Sequence, residues 1–355
     1  FYFTDSAGSN FGNGTTTIPA NGQIAAFLNQ LPFYQSTAFG SAENAFTFTF
    51  TSSVPVAAIA VRGLINERLE FLMTTLPVSP LTASTAAIVI PQVADGGGWQ
   101  TQVLLVNPSE AVISGTAQIV KPSGETQATF TYTVAPRSSS RIVTAGTDPN
   151  VIVGSIRIRP DTNNVSPVAS TVFSFKQNGI TVTESGVAGA ESGLAFRVFA
   201  EKGETNTGIA LSNNAAAPAT VQFELFDSAG QRAAPPGTLN LPANGQLSLF
   251  LSELSGLANL PDGFQGVLRL SSVSGSPVSV IGLRTRVNQR GEFLITPIPP
   301  ISESGISSGA EFVFPHIVTG AGYRTEFVFL GRTGGSVGRL LFRTQSGTAL
   351  LLEMN

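Results

Sequence analysis

The sequence predicts an all-β protein built of tandem immunoglobulin-like β-sandwich domains, with the terminal domains split into complementary halves. Three observations lead there. Apolar and hydroxyl residues alternate in Phe46-Thr-Phe-Thr-Phe-Thr51 and Thr129-Phe-Thr-Tyr-Thr-Val134, the period that places successive side chains on opposite faces of a strand. Glycine (37) and proline (22) are frequent, which suits short strands joined by tight turns, Gly supplying positive φ and Pro fixing the corner. Finally, the chain repeats itself. Leu241-Pro-Ala-Asn-Gly-Gln246 copies Ile18-Pro-Ala-Asn-Gly-Gln23. Val280-Ile-Gly-Leu-Arg284 and Arg290-Gly-Glu-Phe-Leu294 copy Ala58-Ile-Ala-Val-Arg62 and Arg68-Leu-Glu-Phe-Leu72. Repetition of this kind fixes an architecture before any residue-level chemistry is considered.

Each repeat divides into two halves. The first is a strand ending in Pro, a Gly-rich loop, a Thr, an apolar strand, an Asn and a further strand. It is clear at Ile90-Pro-Gln with Gly98-Trp-Gln-Thr101, recurs at Phe314-Pro-His with Gly322-Tyr-Arg-Thr325, and is weaker at Gly203-Glu-Thr-Asn-Thr207. The second half holds a polar turn, a Pro-Ala-Asn-Gly-like corner and several alternating strands. Residues 87–193 and 194–310 each read as a complete repeat; 1–86 holds only a second half and 311–355 only a first half. Further strands are expected at Val221–Phe226 and Val267–Leu270, and Ser155-Ile-Arg-Ile-Arg159 sets two Ile on one face and two Arg on the other. Turns are expected at Pro122-Ser-Gly124, Gln177-Asn-Gly179, Asp227-Ser-Ala-Gly230 and Gln289-Arg-Gly291. Helical spacing is confined to Ile24–Leu31 and Leu247–Leu257, each long enough for about two turns. Linkers rich in Pro and Ser (Pro77–Ser84, Ala188–Ser192, Pro297–Ser308) separate the repeats.

Composition narrows the function. Charged residues make up 12% and the net charge is −3, which leaves no basic footprint for nucleic acid. The absence of Cys excludes a disulfide scaffold and thiol chemistry. The longest apolar runs, such as Val54–Val61, fall short of the ~20 residues a membrane-spanning helix needs. The chain opens at Phe1 without a signal-peptide pattern, as expected of a processed or excerpted polypeptide. Low charge and dense hydroxyl residues point to an extracellular or cell-surface location.

Catalytic groups are thin. The one histidine, His316, has no Gly-x-Ser-x-Gly companion and aligns with Gln92, so it reads as a polar strand residue. One His and no Cys leave no usual zinc set. Glu67 and Glu70 flank Arg68, and Arg62, Arg68 and Glu70 recur as Arg284, Arg290 and Glu292. An acid–base pair is conceivable there, but repetition favours cross-strand charge pairs. Asp95 and Asp148 stand as lone turn formers, without a calcium-loop pattern. Asp95-Gly-Gly-Gly98 lacks the Gly-Lys-Ser/Thr of a phosphate loop. No catalytic, cofactor-binding or metal-binding residue is therefore assigned, and the chain reads as a non-enzyme. Trp99 and Tyr323 are loop aromatics at equivalent places; they could stack on surface glycans or pack on their own or a neighbouring repeat. Asn13-Gly-Thr15 and Asn164-Val-Ser166 are formal glycosylation acceptors.

The run Ile90-Pro-Gln-Val-Ala-Asp-Gly-Gly-Gly-Trp-Gln-Thr-Gln-Val-Leu-Leu-Val-Asn-Pro108, closed by Gly186-Val187, resembles a repeat of large secreted surface proteins of environmental bacteria, notably acidobacteria. The resemblance covers 87–193 and extends more loosely to the other repeats, where Asn107-Pro becomes Asn213-Asn or Gly331-Arg. It implies β-sandwich modules of an extracellular protein and carries no catalytic residues.

The two partial repeats are complementary, and a half sandwich leaves strand edges and an apolar face open. The expected function is therefore structural: an extracellular filament in which 311–355 of one subunit completes 1–86 of the next by β-strand complementation. Interface candidates are Phe1, Tyr2 and Phe3 in the segment Phe1–Asp5, and Leu340, Leu341, Phe342, Leu350, Leu351 and Leu352 in Leu340–Met354. The alternative is an excerpt of a long covalent array acting as a surface stalk or a carbohydrate-binding adhesin.

Overall fold

The computed structural model describes residues 1–30, 46–304, 311–331 and 337–352. The chain divides into two compact units, Phe1–Ile59 with Gly309–Asn355, and Ala60–Ser308. The protein is all-β, with antiparallel sheets and tandem β-sandwiches.

In the first unit, β1 (Tyr2–Thr4) pairs with β2 (Asn10–Asn13) on one side and β3 (Thr47–Thr49) on the other. Alternation puts Phe1, Phe3, Phe46 and Phe48 on one face; Phe3 is fully buried and lies 5.1–5.6 Å from Phe11, Phe46 and Phe48. Thr4, Thr47 and Thr49 occupy the other face. The helical spacing over Ile24–Leu31 yields only a 3-10 turn at Leu28–Gln30, and Leu31 lies outside the described residues.

The second unit opens with the hairpin of β4 (Ala60–Ile65) and β5 (Phe71–Leu76). The first sandwich follows: β6 (Ile88–Asp95), β7 (Trp99–Val106), β8 (Ile113–Val120), β9 (Thr126–Val134), β10 (Ser139–Val143), β11 (Ile152–Pro160), β12 (Val168–Gln177) and β13 (Ile180–Ala188). Its two sheets run β10-β7-β12-β13 and β6-β11-β8-β9. The second sandwich comprises β14 (Ser192–Gly193), β15 (Ala195–Lys202), β16 (Thr205–Asn213), β17 (Ala219–Asp227), β18 (Gly237–Leu241), β19 (Gln246–Phe250), β20 (Phe264–Ser272), β21 (Val278–Val287), β22 (Phe293–Ile298) and β23 (Ile301–Ser302). Its order β19-β16-β21-β22 repeats β10-β7-β12-β13, and β18-β17-β20-β15 repeats β9-β8-β11-β6.

Each sandwich encloses its own core, one around Leu105, Ile113, Ile156 and Ile158, the other around Leu211, Val221, Phe223, Leu268 and Leu270. Full burial of each such side chain is worth about 1.5–3 kcal/mol. Leu247–Leu257, spaced like a helix, forms strand β19 and then a 3-10 turn at Leu251–Glu253, because β16 offers a ladder edge for Gln246–Phe250. Ile156 and Ile158 point inward as the alternation requires, but Arg157 on the opposite face is also buried.

Two polar devices recur. Thr101 Oγ1 donates to the Ala94 carbonyl at 2.7 Å and accepts the Ala94 N–H at 3.2 Å, clasping the β6–β7 hairpin; Thr207 Oγ1 accepts the Glu201 N–H and donates to Phe199 O. Buried Asn107 donates Nδ2 to the carbonyls of Ala111, Val134 and Ala135, while Asn213 Nδ2 donates to those of Ala217 and Pro242. Each asparagine thus ties a carbonyl of the connection after its own strand, Ala111 or Ala217, to carbonyls at the β9–β10 or β18–β19 corner. Among the described residues no helix is long and apolar enough to cross a membrane.

Candidate assembly interface

The duplicated phrases of the sequence come together in the second unit. β5 and β22 both lie against β13, whose residues Thr181–Val187 are all buried although β13 ends its own sheet. On the β5 side, Arg62 Nε sits 2.9 Å from Glu184 Oε2, and Ser174 Oγ donates to Glu184 Oε1 at 3.0 Å. The Gly186 N–H donates to Thr74 Oγ1, and a Cβ on Gly186 would collide with the Thr75 carbonyl. On the β22 side, Thr183 Oγ1 donates to Ile295 O and accepts its N–H, both at 3.3 Å.

The tips of the two copied hairpins meet. Asn66 and Asn288 each shape a five-residue turn, Oδ1 accepting the N–H groups of Arg68 and Glu70, or of Arg290 and Glu292. Each arginine pairs with the glutamate of its own turn and with that of the other: Arg68 Nη1 is 2.6 Å from Glu292 Oε1, and Arg290 Nη1 is 2.6 Å from Glu70 Oε1. These residues therefore pair within a turn and between hairpins, where sequence reasoning expected pairs across one sheet. Arg68, with Asn288, holds Glu292 down to about 2; Asn66 and Arg290 lower Glu70. Glu67 accepts the Thr181 N–H at 2.7 Å and pairs with Lys176, and these contacts, the backbone one foremost, bring it to about 2 as well. The groups considered as an acid–base pair are thus carboxylates held ionised by arginines and N–H donors, an arrangement suited to fastening.

Trp99 is part of the same contact. It stacks on Phe175 at 4.6 Å and meets the edge of Phe293 of β22 at 6.1 Å, so one face of the indole is already occupied. Its counterpart Tyr323 is 57% exposed.

The two sandwiches are joined by a second contact. The corner Pro242–Gln246, with Asn244 at φ 58°, abuts the turn Lys121–Glu125. Gln246 N–H donates to Pro122 O at 3.2 Å, Gln246 Nε2 donates to Gln92 Oε1 at 2.8 Å, and a Cβ on Gly124 would collide with the Ala243 carbonyl. Arg157 reaches across, Nη1 to Asn244 Oδ1 and Nη2 to Asn213 O at 2.5 and 2.6 Å. Burial pushes the guanidinium pKa down, and these two acceptors are what hold the charge there.

In the first unit, the interface candidates lie as follows. β1 carries Tyr2 and Phe3 and is paired along both edges; Phe3, like Phe1 packed 5.7 Å from Phe48, lies on the aromatic face, and Tyr2 lies on the face of Thr4 and Thr49. In the tail, Phe342 packs 5.8 Å from Phe327, which stacks with Phe329 and meets Phe314 edge-on. Leu340 and Leu341 are exposed, Leu351 is 97% exposed, and Leu350 and Leu352 are half-buried. Met354, the end of the segment, lies outside the described residues. His316 contacts the head of its own chain, with Gln23 Nε2 2.9 Å from His316 Nδ1.

Among its described residues the tail keeps the turns of its repeat without regular strands. Gly320 and Tyr323 exchange backbone hydrogen bonds as Gly96 and Trp99 do, over three successive positive-φ residues in both copies. Thr325 Oγ1 clasps Val318 as Thr101 clasps Ala94. The turn at Thr344–Thr348 copies those at Asp5–Ser9, Lys121–Glu125 and Asp227–Gln231, each with a positive-φ glycine fourth. Sequence reasoning placed the turns at Pro122–Gly124 and Asp227–Gly230 and the Gly-rich loop of each first half from their glycines, but it assigned no role to Asn107, Asn213 or the threonine clasps. Their signal was the recurrence of Thr and Asn at matching places in the repeats. No family model, curated protein or solved structure matches the chain.

Proposed function

We propose that the chain is a building block of an extracellular fibre, in which residues 311–355 of one copy complete residues 1–86 of the next by β-strand addition. The observation that carries this reading is an uncovered strand edge among the described residues of 1–86. In both complete sandwiches the first hairpin supplies two strands, one beside β11 or β20 and the other beside β12 or β21. Residues 1–86 carry counterparts of the later strands only. The order β2-β1-β3 matches β9-β8-β11, and among the described residues nothing pairs with the outer edge of β3. β4, the counterpart of β12 and β21, pairs with β5 alone and exposes Val61 and Ile65.

The tail carries the three-residue turn and the threonine clasp of such a hairpin. Register follows from the intact copy. Thr207 stands opposite Arg284, so Thr325 would stand opposite Arg62 and Tyr323 opposite Leu64, giving the exposed tyrosine a surface to cover. Main-chain bonds supply affinity in such an addition and the alternating side chains fix register. A head-to-tail contact is heterologous and extends into a filament unless its rotation closes a ring. Low charge, hydroxyl-rich surfaces and the absence of Cys fit an extracellular fibre.

Electron microscopy of the purified chain at high concentration, and after mild unfolding and refolding, tests this. Fibres are expected, and Glu326→Pro should abolish them by removing a ladder donor in the added strand. Monomers alone under every condition would sink the reading.

A further inference from the structure

The contact between head and tail in the first unit is the joint between the two sandwiches, built a second time. The corner Pro19–Gln23 copies Pro242–Gln246, with Asn21 at φ 56° as Asn244 is at 58°. The turn Thr344–Thr348 copies Lys121–Glu125, and His316 stands where Gln92 does. Three contacts then match one for one. Gln23 N–H donates to Gln345 O at 3.0 Å as Gln246 N–H does to Pro122 O at 3.2 Å. Gln23 Nε2 reaches His316 Nδ1 at 2.9 Å as Gln246 Nε2 reaches Gln92 Oε1 at 2.8 Å. A Cβ on Gly347 would collide with the Ala20 carbonyl, as one on Gly124 would with Ala243. Chance packing of two loops does not reproduce three contacts at the same repeat positions.

The copies differ in one respect. Arg157 adds two hydrogen bonds to the internal joint, and it lies on β11, a strand for which the tail has no counterpart. The head–tail joint lacks this arginine clamp. It also relates tail to head as one repeat to the next, whereas strand addition relates them as two halves of one repeat. The same tail cannot hold both positions on one head.

We infer that the head–tail joint is a latch: formed within one chain, it keeps the 312–330 segment docked on its own head and off a second copy until it opens. The effect on assembly rests on the fibre reading above; the closed joint itself does not. Opening breaks the Gln23 N–H bond to Gln345 O and the Gln23 Nε2 bond to His316 Nδ1, so it responds to substitutions at the corner.

The test uses the full chain, which has no native Cys and accepts spin labels at chosen sites. Labels at Ser9 and Arg343 in dilute protein are expected to give one short, narrow distance that does not change with concentration. Gly22→Val, whose Cβ would stand 2.5 Å from the Gln345 carbonyl oxygen, should broaden and lengthen it, and so should Gln23→Ala with His316→Ala. If fibres form, both variants should shorten the assembly lag several-fold relative to the parent. A broad distance in the dilute parent chain, or one unchanged by either variant, overturns the latch. An unchanged or longer lag, with the distance lost, overturns its role in assembly. Absence of fibres in every variant counts against strand addition while the distance measurement still decides the latch.

Discussion

Hairpins β4–β5 and β21–β22 carry the same phrase of sequence in two settings. In the second, β21 is paired with β16 inside a sandwich and Arg284 salt-bridges Glu201 of β15 in that sandwich. In the first, β4 has, among the described residues, only β5 as a partner, and Arg62 reaches out of the hairpin to Glu184 of the neighbouring sandwich. Phe293 is wedged against Trp99 and Phe175, whereas its counterpart Phe71 is 51% exposed. The hairpin keeps its shape in both places because Asn66 and Asn288 build the turn locally. Its environment decides whether it closes a core or waits as an open edge.

The largest separation between the copies is expected from their arginines. Arg284→Ala leaves Glu201, 3% exposed, as a buried carboxylate without its cation. Breaking one side of such a pair costs about 3 kcal/mol, even allowing for the part-exposed arginine. Arg62→Ala should cost about 1 kcal/mol, because Glu184 keeps the Ser174 hydroxyl and only the docking of β4–β5 is loosened. Urea denaturation reads the first, and limited proteolysis within 60–76 reads the second. Equal losses would mean that both arginines serve the core and that the comparison is wrong.

The aromatic pair separates the copies next. Phe293→Ala removes a ring wedged against two others and should destabilise by about 2 kcal/mol, below the full range for a buried Phe because the site is partly open. Phe71→Ala should change stability by less than about 0.5 kcal/mol. A double-mutant cycle with Trp99→Ala should show coupling to Phe293 and none to Phe71; coupling to both would place the hairpins in equivalent surroundings.

Acid should loosen the tips where the copies clasp each other. Glu67 and Glu292 are held at about 2, below their ordinary 4.5. For a carboxylate whose folded pKa is depressed, the stabilisation is fully present above 4.5 and disappears as pH falls from 4.5 towards 2. Melting temperature should therefore fall across that window, and Glu292→Gln should flatten the fall by removing its share. A profile with no change between pH 5 and 2 would show that the clasp contributes nothing to folding.

Much of this was legible in the sequence because it is local. The two-residue period gave β17 and β20 their inward Phe223, Leu225, Leu268 and Leu270, and the duplicated phrases located the hairpins. What escaped depends on partners far along the chain. Nothing in Ser155–Arg159 announces that Arg157 is covered by a corner from the next repeat. The helical spacing of Leu247–Leu257 was overridden because β16 supplied a ladder for its first half. A third corner, at Ala135–Ser138, was less distinct because Arg137 occupies the left-handed position, φ 57°, that Asn21 and Asn244 fill elsewhere. The docking of β5 on β13 and the stacking of Trp99 on Phe175 left no local trace either.

The finest difference between the copies lies in one backbone angle. Leu69 sits at φ 61° where the second copy has Gly291 at 73°. A leucine there brings its Cβ against the neighbouring carbonyl at a cost of about 1 kcal/mol, and no packing offsets it because the side chain is 84% exposed. Leu69→Gly should therefore stabilise the hairpin, with the entropy of a more flexible unfolded chain reducing the gain to about 0.5 kcal/mol. Gly291→Leu should do the reverse by a similar amount. Hydrogen exchange at the Asn66 N–H, which donates to Glu70 O across the turn at 3.0 Å, should slow in Leu69→Gly. If it speeds up, the left-handed leucine does not strain the turn and the two copies do not differ in this way.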